Sequence, residues 1–137
     1  MTLFVDTSVW SLAFRRDAEG QPFPPAEVAA LRQSLEGAEL VVTTGIVLQE
    51  LLQGFAGPRA RTQIIDRFSA LPLLMPNRQD HIEAAELRNR CRRAGVQVGT
   101  IDALLAQLCI HHELTLLTTD RDFAHMAAQC PLRVWRG

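Results

Sequence analysis

The chain has 137 residues, 47% of them hydrophobic and 21% charged, with a net charge of −1. That length is enough to bury a sizeable core, and that composition excludes a disordered chain. No apolar run approaches the roughly 18 residues of a membrane span, and "MTLFVD" carries no secretory signal pattern. Three cysteines, Cys91, Cys109 and Cys130, form no CxxC pair. Their odd number argues against a disulfide framework and suits a reducing cytoplasm. All 14 basic residues are arginine, with no lysine. Coding bias explains this most simply, although arginine is also the better bidentate phosphate ligand.

In chain order, the pattern alternates strand and helix. "TLFVD" (2–6) is a short apolar strand ending in Asp6. "PPAEVAALRQSLEG" is a helix with Pro near its start and Gly37 at its end. "ELVVTT" (39–44) is a second strand, whose Thr44 is placed to cap the helix "GIVLQELLQG". A helix over about 58–70 leads to "LPLLM" (71–75), an edge strand by its Pro. "DHIEAAELRNRCRRAG" is a helix with Asp80 at its start and arginines near its end, as the helix dipole favours. After "VQVG", "TIDALLAQLCIHH" reads as a central helix capped by Thr100, apolar almost all round. "LTLLTT" (114–119) is a buried strand, "DRDFAHMAAQ" a short helix and "LRVW" (132–135) the last strand. Such alternation predicts an α/β fold with a parallel sheet covered by helices on both faces, one domain over 1–137.

The carboxylates do not sit where a packed core wants them. At ~100° per residue, Ile46 and Val47 flank Glu50 on its helix while Gln49 and Gln53 lie opposite. An unpaired carboxylate there costs several kcal/mol or gives up its charge. Asp6 ends the first strand and Asp120 follows the 114–119 strand. Both therefore reach the carboxyl edge of the sheet, where open parallel sheets bind ligands. Asp102, between Ala106 and Cys109 on its helical wheel, also faces inward, and Asp122 is a possible fifth acid. Each has a structural explanation on its own. Asp102 suits a helix N-terminus, Asp120 or Asp122 a cap, Asp6 a strand-end turn, and Glu50 an arginine partner.

Together they point elsewhere. Converging carboxylates repel and take up protons unless a cation is present. A site made of oxygens suits Mg²⁺ or Mn²⁺ and not Zn²⁺. One or two such ions can activate water and stabilise the leaving oxygen of a phosphoryl displacement. They would also make the site mouth attractive to a phosphodiester backbone.

The stretches "FVDTSVW", "ELLQG", "GTIDALLAQ" and "LLTTDRDF", in this order over nearly the whole chain, resemble the PIN-domain ribonucleases, and among them the VapC-type toxins of VapBC toxin–antitoxin systems. The resemblance implies a three-layer α/β/α domain with a five-stranded parallel sheet in the order 3-2-1-4-5. It implies a metal-dependent endoribonuclease that hydrolyses RNA, commonly structured RNA such as tRNA. By motif, Asp6, Glu50, Asp102 and Asp120 become the catalytic, metal-binding acids, with Asp122 a further acid and Thr118 and Ser8 supporting hydroxyls. Homodimerisation and neutralisation by a DNA-binding VapB-type antitoxin are implied as well, the antitoxin placing a basic or aromatic segment in the acidic groove.

The remaining residues leave alternatives open. Arg88, Arg90, Arg92 and Arg93 make a dipole-favoured helix end or contact RNA phosphates; Arg15, Arg16 and Arg121 are further candidates for RNA. Trp10, Phe14 and Phe55 line a partner surface or pack in the core. His111 and His112, being adjacent, are expected to point in different directions, and His81 and His125 are isolated. Without lysine, a phosphoacceptor receiver domain and a haloacid-dehalogenase-like phosphatase are disfavoured. A Toprim-type nuclease requires a glutamate where Asp6 stands. The non-enzymatic alternative is a PIN-like binding module serving as scaffold for a DNA-binding partner.

Overall fold

The computed structural model describes residues 1–19 and 23–137, with the backbone alone at 16–19. Five parallel strands form one sheet in the order β3-β2-β1-β4-β5, as expected. They are β1 (Leu3–Val5), β2 (Val41–Thr44), β3 (Leu73–Leu74), β4 (Thr115–Leu117) and β5 (Arg133–Val134). Among the described residues seven helices connect and cover them: α1 (Thr7–Glu19), α2 (Ala26–Glu36), α3 (Gly45–Gly54), α4 (Pro58–Phe68), α5 (Arg78–Arg93), α6 (Thr100–His111) and α7 (Arg121–Ala127). Among the described residues no helix is long and apolar enough to cross a membrane.

The sequence pattern marks no element between the first strand and Pro24, yet α1 begins directly after Asp6. Val9, Trp10 and Ala13 are buried on one side of it, at helical spacing that a Thr-Ser start disguises as a turn. Trp10 belongs to the core, packed against Phe68 with ring centroids 4.8 Å apart. Phe14 and Phe55 are half-buried and share a surface cavity with Pro58 and Arg59.

The centre of the sheet is dry. Leu3, Phe4, Val5, Leu116 and Leu117 are completely buried, with Leu3 paired to Thr115 and Val5 to Leu117. On the other side β1 pairs with β2. The chain thus runs outward from β1 through β2 to β3, then returns past β1 to place β4 against its free side. This reversal between β1 and β4 opens a crevice at their carboxyl ends.

Local signals set the helix ends. Thr44 caps α3 as expected, its Oγ1 accepting from Val47 N at 3.3 Å. The α5 helix starts two residues before Asp80. Asn77 is its cap, and Asn77 and Asp80 exchange side-chain-to-backbone bonds of 2.8 and 2.9 Å. Thr100 is not the cap of α6; Gly99 occupies that position with no side-chain cap bond, and Thr100 is already helical. Asp80 is buried, and its Oδ1 lies 2.7 Å from His111 Nδ1, tying α5 to the end of α6. Burial works against the Asp80 charge, but the Asn77 amide and His111 outweigh it and hold the carboxyl below its ordinary range. His111 and His112 do not diverge; their rings stack at 4.2 Å, because His112 caps the helix in a non-helical conformation.

Both α5 and α6 close in Schellman fashion. Val96 N donates to Cys91 O and Leu114 N to Cys109 O, each at 2.8 Å. The left-handed residue after α5 is Gly95, at φ 80°; the one after α6 is Glu113, at φ 53°. A glutamate there bears a steric cost that glycine does not. Glu113→Gly is therefore expected to stabilise the protein by about 0.5–1 kcal/mol in denaturant unfolding, with no change of fold.

Candidate active site

Asp6 follows β1 and Asp120 follows β4, Asp122 stands just beyond in the first turn of α7, and Glu50 and Asp102 are carried by α3 and α6. Asp6 leaves β1 and is buried. Ser8 and Thr118 both donate to its Oδ2, at 2.7 and 2.8 Å. Among the described residues no side chain donates to Oδ1, so one carboxylate oxygen is fixed and the other is free to ligate. The hydroxyls are tied in turn. Thr119 N donates to Ser8 Oγ at 3.2 Å, and Asp120 N to Thr118 Oγ1 at 3.0 Å. The start of α1 is thereby fastened to the turn after β4.

Glu50 has a neighbour that the sequence pattern does not reveal. Thr7 Oγ1 donates to Glu50 Oε1 at 2.8 Å, across 43 positions of chain. The helix wheel is otherwise correct: Val47 and Leu51 are fully buried, Leu48 is half-buried, and Glu50 is half-buried at the edge of the apolar face. Among the described residues no arginine pairs with Glu50, so the structural explanation of its charge is not realised there. "DTS" supplies all three polar residues in sequence, Asp6, Thr7 and Ser8. A run of hydroxyls beside a strand-end acid was the available clue to Thr7.

Asp120 does serve as a helix cap, its Oδ1 accepting from Asp122 N at 2.9 Å, which again occupies one oxygen. Asp102 stands in the first turn of α6 without making a cap bond. Asp122 is exposed at the margin of the group. The five acids act on one another through Asp102. Its burial first, and then the charges of Asp6, Asp120, Glu50 and Asp122, raise its carboxyl from 3.8 to about 6. Asp6, Glu50 and Asp120 thus each hold one oxygen by a hydroxyl or amide, around a fourth acid that resists ionisation.

The donor set fits a hard cation: oxygens throughout, acids gathered without a basic partner among the described residues, and side chains braced by hydroxyls. Among the described residues no three acidic, histidine or cysteine side chains already sit close enough to hold an ion. Un-neutralised like charges favour such separation.

The arginine candidates divide. Arg88 and Arg92 line a cavity of about 530 Å³ together with Asp122, whereas Arg15 and Arg121 are exposed and have no carboxylate partner among the described residues. The Arg16 side chain lies outside the described residues.

Because the folded-state carboxyl of Asp102 holds its proton more tightly than the unfolded one, its contribution favours the folded state below about pH 4. That contribution disappears as the pH rises to about 6. Asp102→Asn should therefore raise the melting temperature of metal-free protein by a few degrees at about pH 8, on the order of 1 kcal/mol after solvent screening. The difference should vanish near pH 4. Thermal melts showing a large loss of stability would instead make Asp102 a structural helix residue.

Comparison with known proteins agrees with this geometry. The sequence profile of the PIN domain matches residues 3–129. Among curated protein sequences none matches the chain. In structure the chain is similar to VapBC-1 of nontypeable Haemophilus influenzae, with a TM-score of 0.74 at 18% identity over 98% of this chain and 97% of that one. VapBC2 of Rickettsia felis, solved on a fragment of its promoter DNA, gives 0.74 at 21% identity over 99% and 100%. VapC20 of Mycobacterium tuberculosis, a toxin that cleaves the sarcin-ricin loop, gives 0.67 at 23% over 96% and 99%. At these identities the structures establish a shared fold, and the profile establishes the family. A β1–β4 crevice ringed by acids, on a sheet of this order, is carried by a chain that belongs to the PIN-domain family.

Proposed function

We propose that this chain is a Mg²⁺- or Mn²⁺-dependent endoribonuclease, the toxin of a type II toxin–antitoxin pair. The observation that carries the reading is the set of acids around Asp102, from buried Asp6 to exposed Asp122, without a basic partner among the described residues. A scaffold has no use for that repulsion; a hydrolase of phosphodiesters does. Asp6, Glu50, Asp102 and Asp120 would hold one or two ions, with Asp122 contributing at the margin. When bound, the cation would lower the pKa of water and neutralise charge on the phosphoryl group.

The chain's own residues perform the positioning. Ser8 and Thr118 fix one oxygen of Asp6 and thereby the direction of the other. Thr7 does the same for Glu50. Asp102, raised to about 6 by burial and by the four neighbouring acids, is the position where a bound cation would relieve the most repulsion. Arg15 and Arg121, exposed and without a carboxylate partner among the described residues, would contact the RNA backbone. Among the similar solved structures VapBC2 is bound to a fragment of its promoter DNA, and VapC20 is a toxin that cleaves the sarcin-ricin loop. They support a structured RNA as substrate and a VapB-type antitoxin as partner; a homodimer acting in the cytoplasm, with residues 1–137 as one PIN domain, is proposed on the family resemblance. A binding module that uses the same fold as scaffold remains the second reading, favoured by acids that do not yet converge on one point.

RNA cleavage is expected to require Mg²⁺ or Mn²⁺, to stop with EDTA, and to fall by orders of magnitude in Asp6→Asn or Glu50→Gln with the fold intact. Cleavage that survives either substitution overturns the assignment, and absence of cleavage in the presence of both ions favours the scaffold. Thr118→Val, which removes the hydroxyl bracing Asp6, should weaken Mn²⁺ affinity by about 10–100-fold in a titration calorimeter while the protein stays folded.

A further inference from the structure

The last turns of α5 carry Arg88, Arg90, Arg92 and Arg93, and the structure does not treat these four alike. Arg88 and Arg92, one helical turn apart, share a face. They line the cavity of about 530 Å³ whose other walls are Gln97, Val98, Gly99 and Asp122. Arg90 and Arg93 do not line it. Arg88 is half-buried, and its Nε donates to Val98 O at 2.8 Å. That bond fixes the guanidinium plane while leaving the terminal nitrogens available. Neither arginine forms an ion pair with a carboxylate among the described residues, even though Asp122 stands on the same cavity. Opposite charges therefore face one another across an open space without closing it.

The fourth wall is the start of α6. Gly99, its cap residue, forms part of this wall and supplies no side-chain acceptor. Asp122 joins this cavity to the acidic crevice, being two residues from Asp120. The carboxylate would repel an anion and the two guanidiniums would hold it, so a phosphate is favoured at the arginine side. The volume falls within the range of sites that take a nucleotide-sized ligand.

We propose that this cavity receives a phosphodiester of the RNA strand next to the one being cut, held by Arg92 and by an Arg88 pre-oriented on the Val98 carbonyl. The inference rests on the ribonuclease reading and adds a definite strand path: from the acids, past Asp122, to the end of α5. Two guanidiniums offer paired N–H donors to phosphate oxygens, and contact with phosphate carries affinity without base preference.

The test measures binding of a fluorescein-labelled oligouridine by anisotropy across a salt series, using full-length protein in Mg²⁺ with Asp6→Asn present so that the strand persists. Arg92→Ala should weaken binding about tenfold at low salt and reduce the salt slope by about one contact, with Arg92→Lys recovering most of it. Arg88→Met should follow Arg92→Ala. Arg93→Ala, on the same turn but off the cavity, should change affinity by less than about twofold. In protein with an intact Asp6, Arg92→Ala should raise KM for cleavage while leaving kcat nearly unchanged. Equal losses in Arg92→Ala and Arg93→Ala, or no loss in either, overturn the cavity assignment even if the wild-type protein cuts RNA. Arg92-dependent binding by a wild-type protein that never cuts RNA upholds the cavity and overturns the ribonuclease reading instead.

Discussion

The parallel pairing of β1 with β4 is the constraint on which everything else in this protein depends. It joins segments more than a hundred residues apart, buries Leu3, Phe4, Val5, Leu116 and Leu117 completely, and leaves the residues that follow the two strands side by side. Asp6, Ser8 and Thr118 meet there because their strands end level with one another. The hydrogen bonds among them are consequences of that register: with β4 shifted by one residue, Thr118 would face the opposite side of the sheet.

The crevice so formed combines two opposing demands. The sheet centre around it is close-packed and apolar, which raises the cost of charge. The acids nevertheless stay without basic partners among the described residues, and Asp6, Glu50 and Asp120 are each braced by an uncharged hydroxyl or amide. A salt bridge would satisfy the charge and remove it from use. A hydroxyl orients the carboxylate while leaving its second oxygen and most of its charge in place. Asp102 shows the result most clearly, since burial and its four neighbours together press it toward the protonated form. Asp80 is the useful contrast. It is more deeply buried, yet an amide and His111 surround it, and its carboxyl is lowered. The same residue type is thus committed to structure at one end of α6 and held in tension at the other.

Much of this was legible in the chain itself. The apolar strands, the Pro that put β3 at the edge, the Thr44 cap and the helix wheel of "GIVLQELLQG" are local features, with local causes in sterics, amide satisfaction and periodicity. Glu50 stood out because its wheel position conflicted with its charge. Features with a local appearance but several possible outcomes were harder to read. "TSVW" looks like a turn yet starts a helix, Thr100 looks like a cap yet follows one, and two adjacent histidines stack instead of diverging. For "TSVW" the choice was made by packing, since Val9, Trp10 and Ala13 are buried.

What the sequence by itself determined was the alternation of elements, the class of fold and the set of acids, because periodicity, capping and charge conflict operate over a few residues. What only the tertiary structure decided was the company those acids keep. Thr7 reaches Glu50 across 43 positions and Thr118 reaches Asp6 across 112. Arg88 and Arg92, but not their neighbours on the same turn, share a cavity with Asp122. A hydroxyl or a guanidinium has no spacing rule that announces its partner. Its role is set by which strands pair and where they stop, and that is a property of the folded chain.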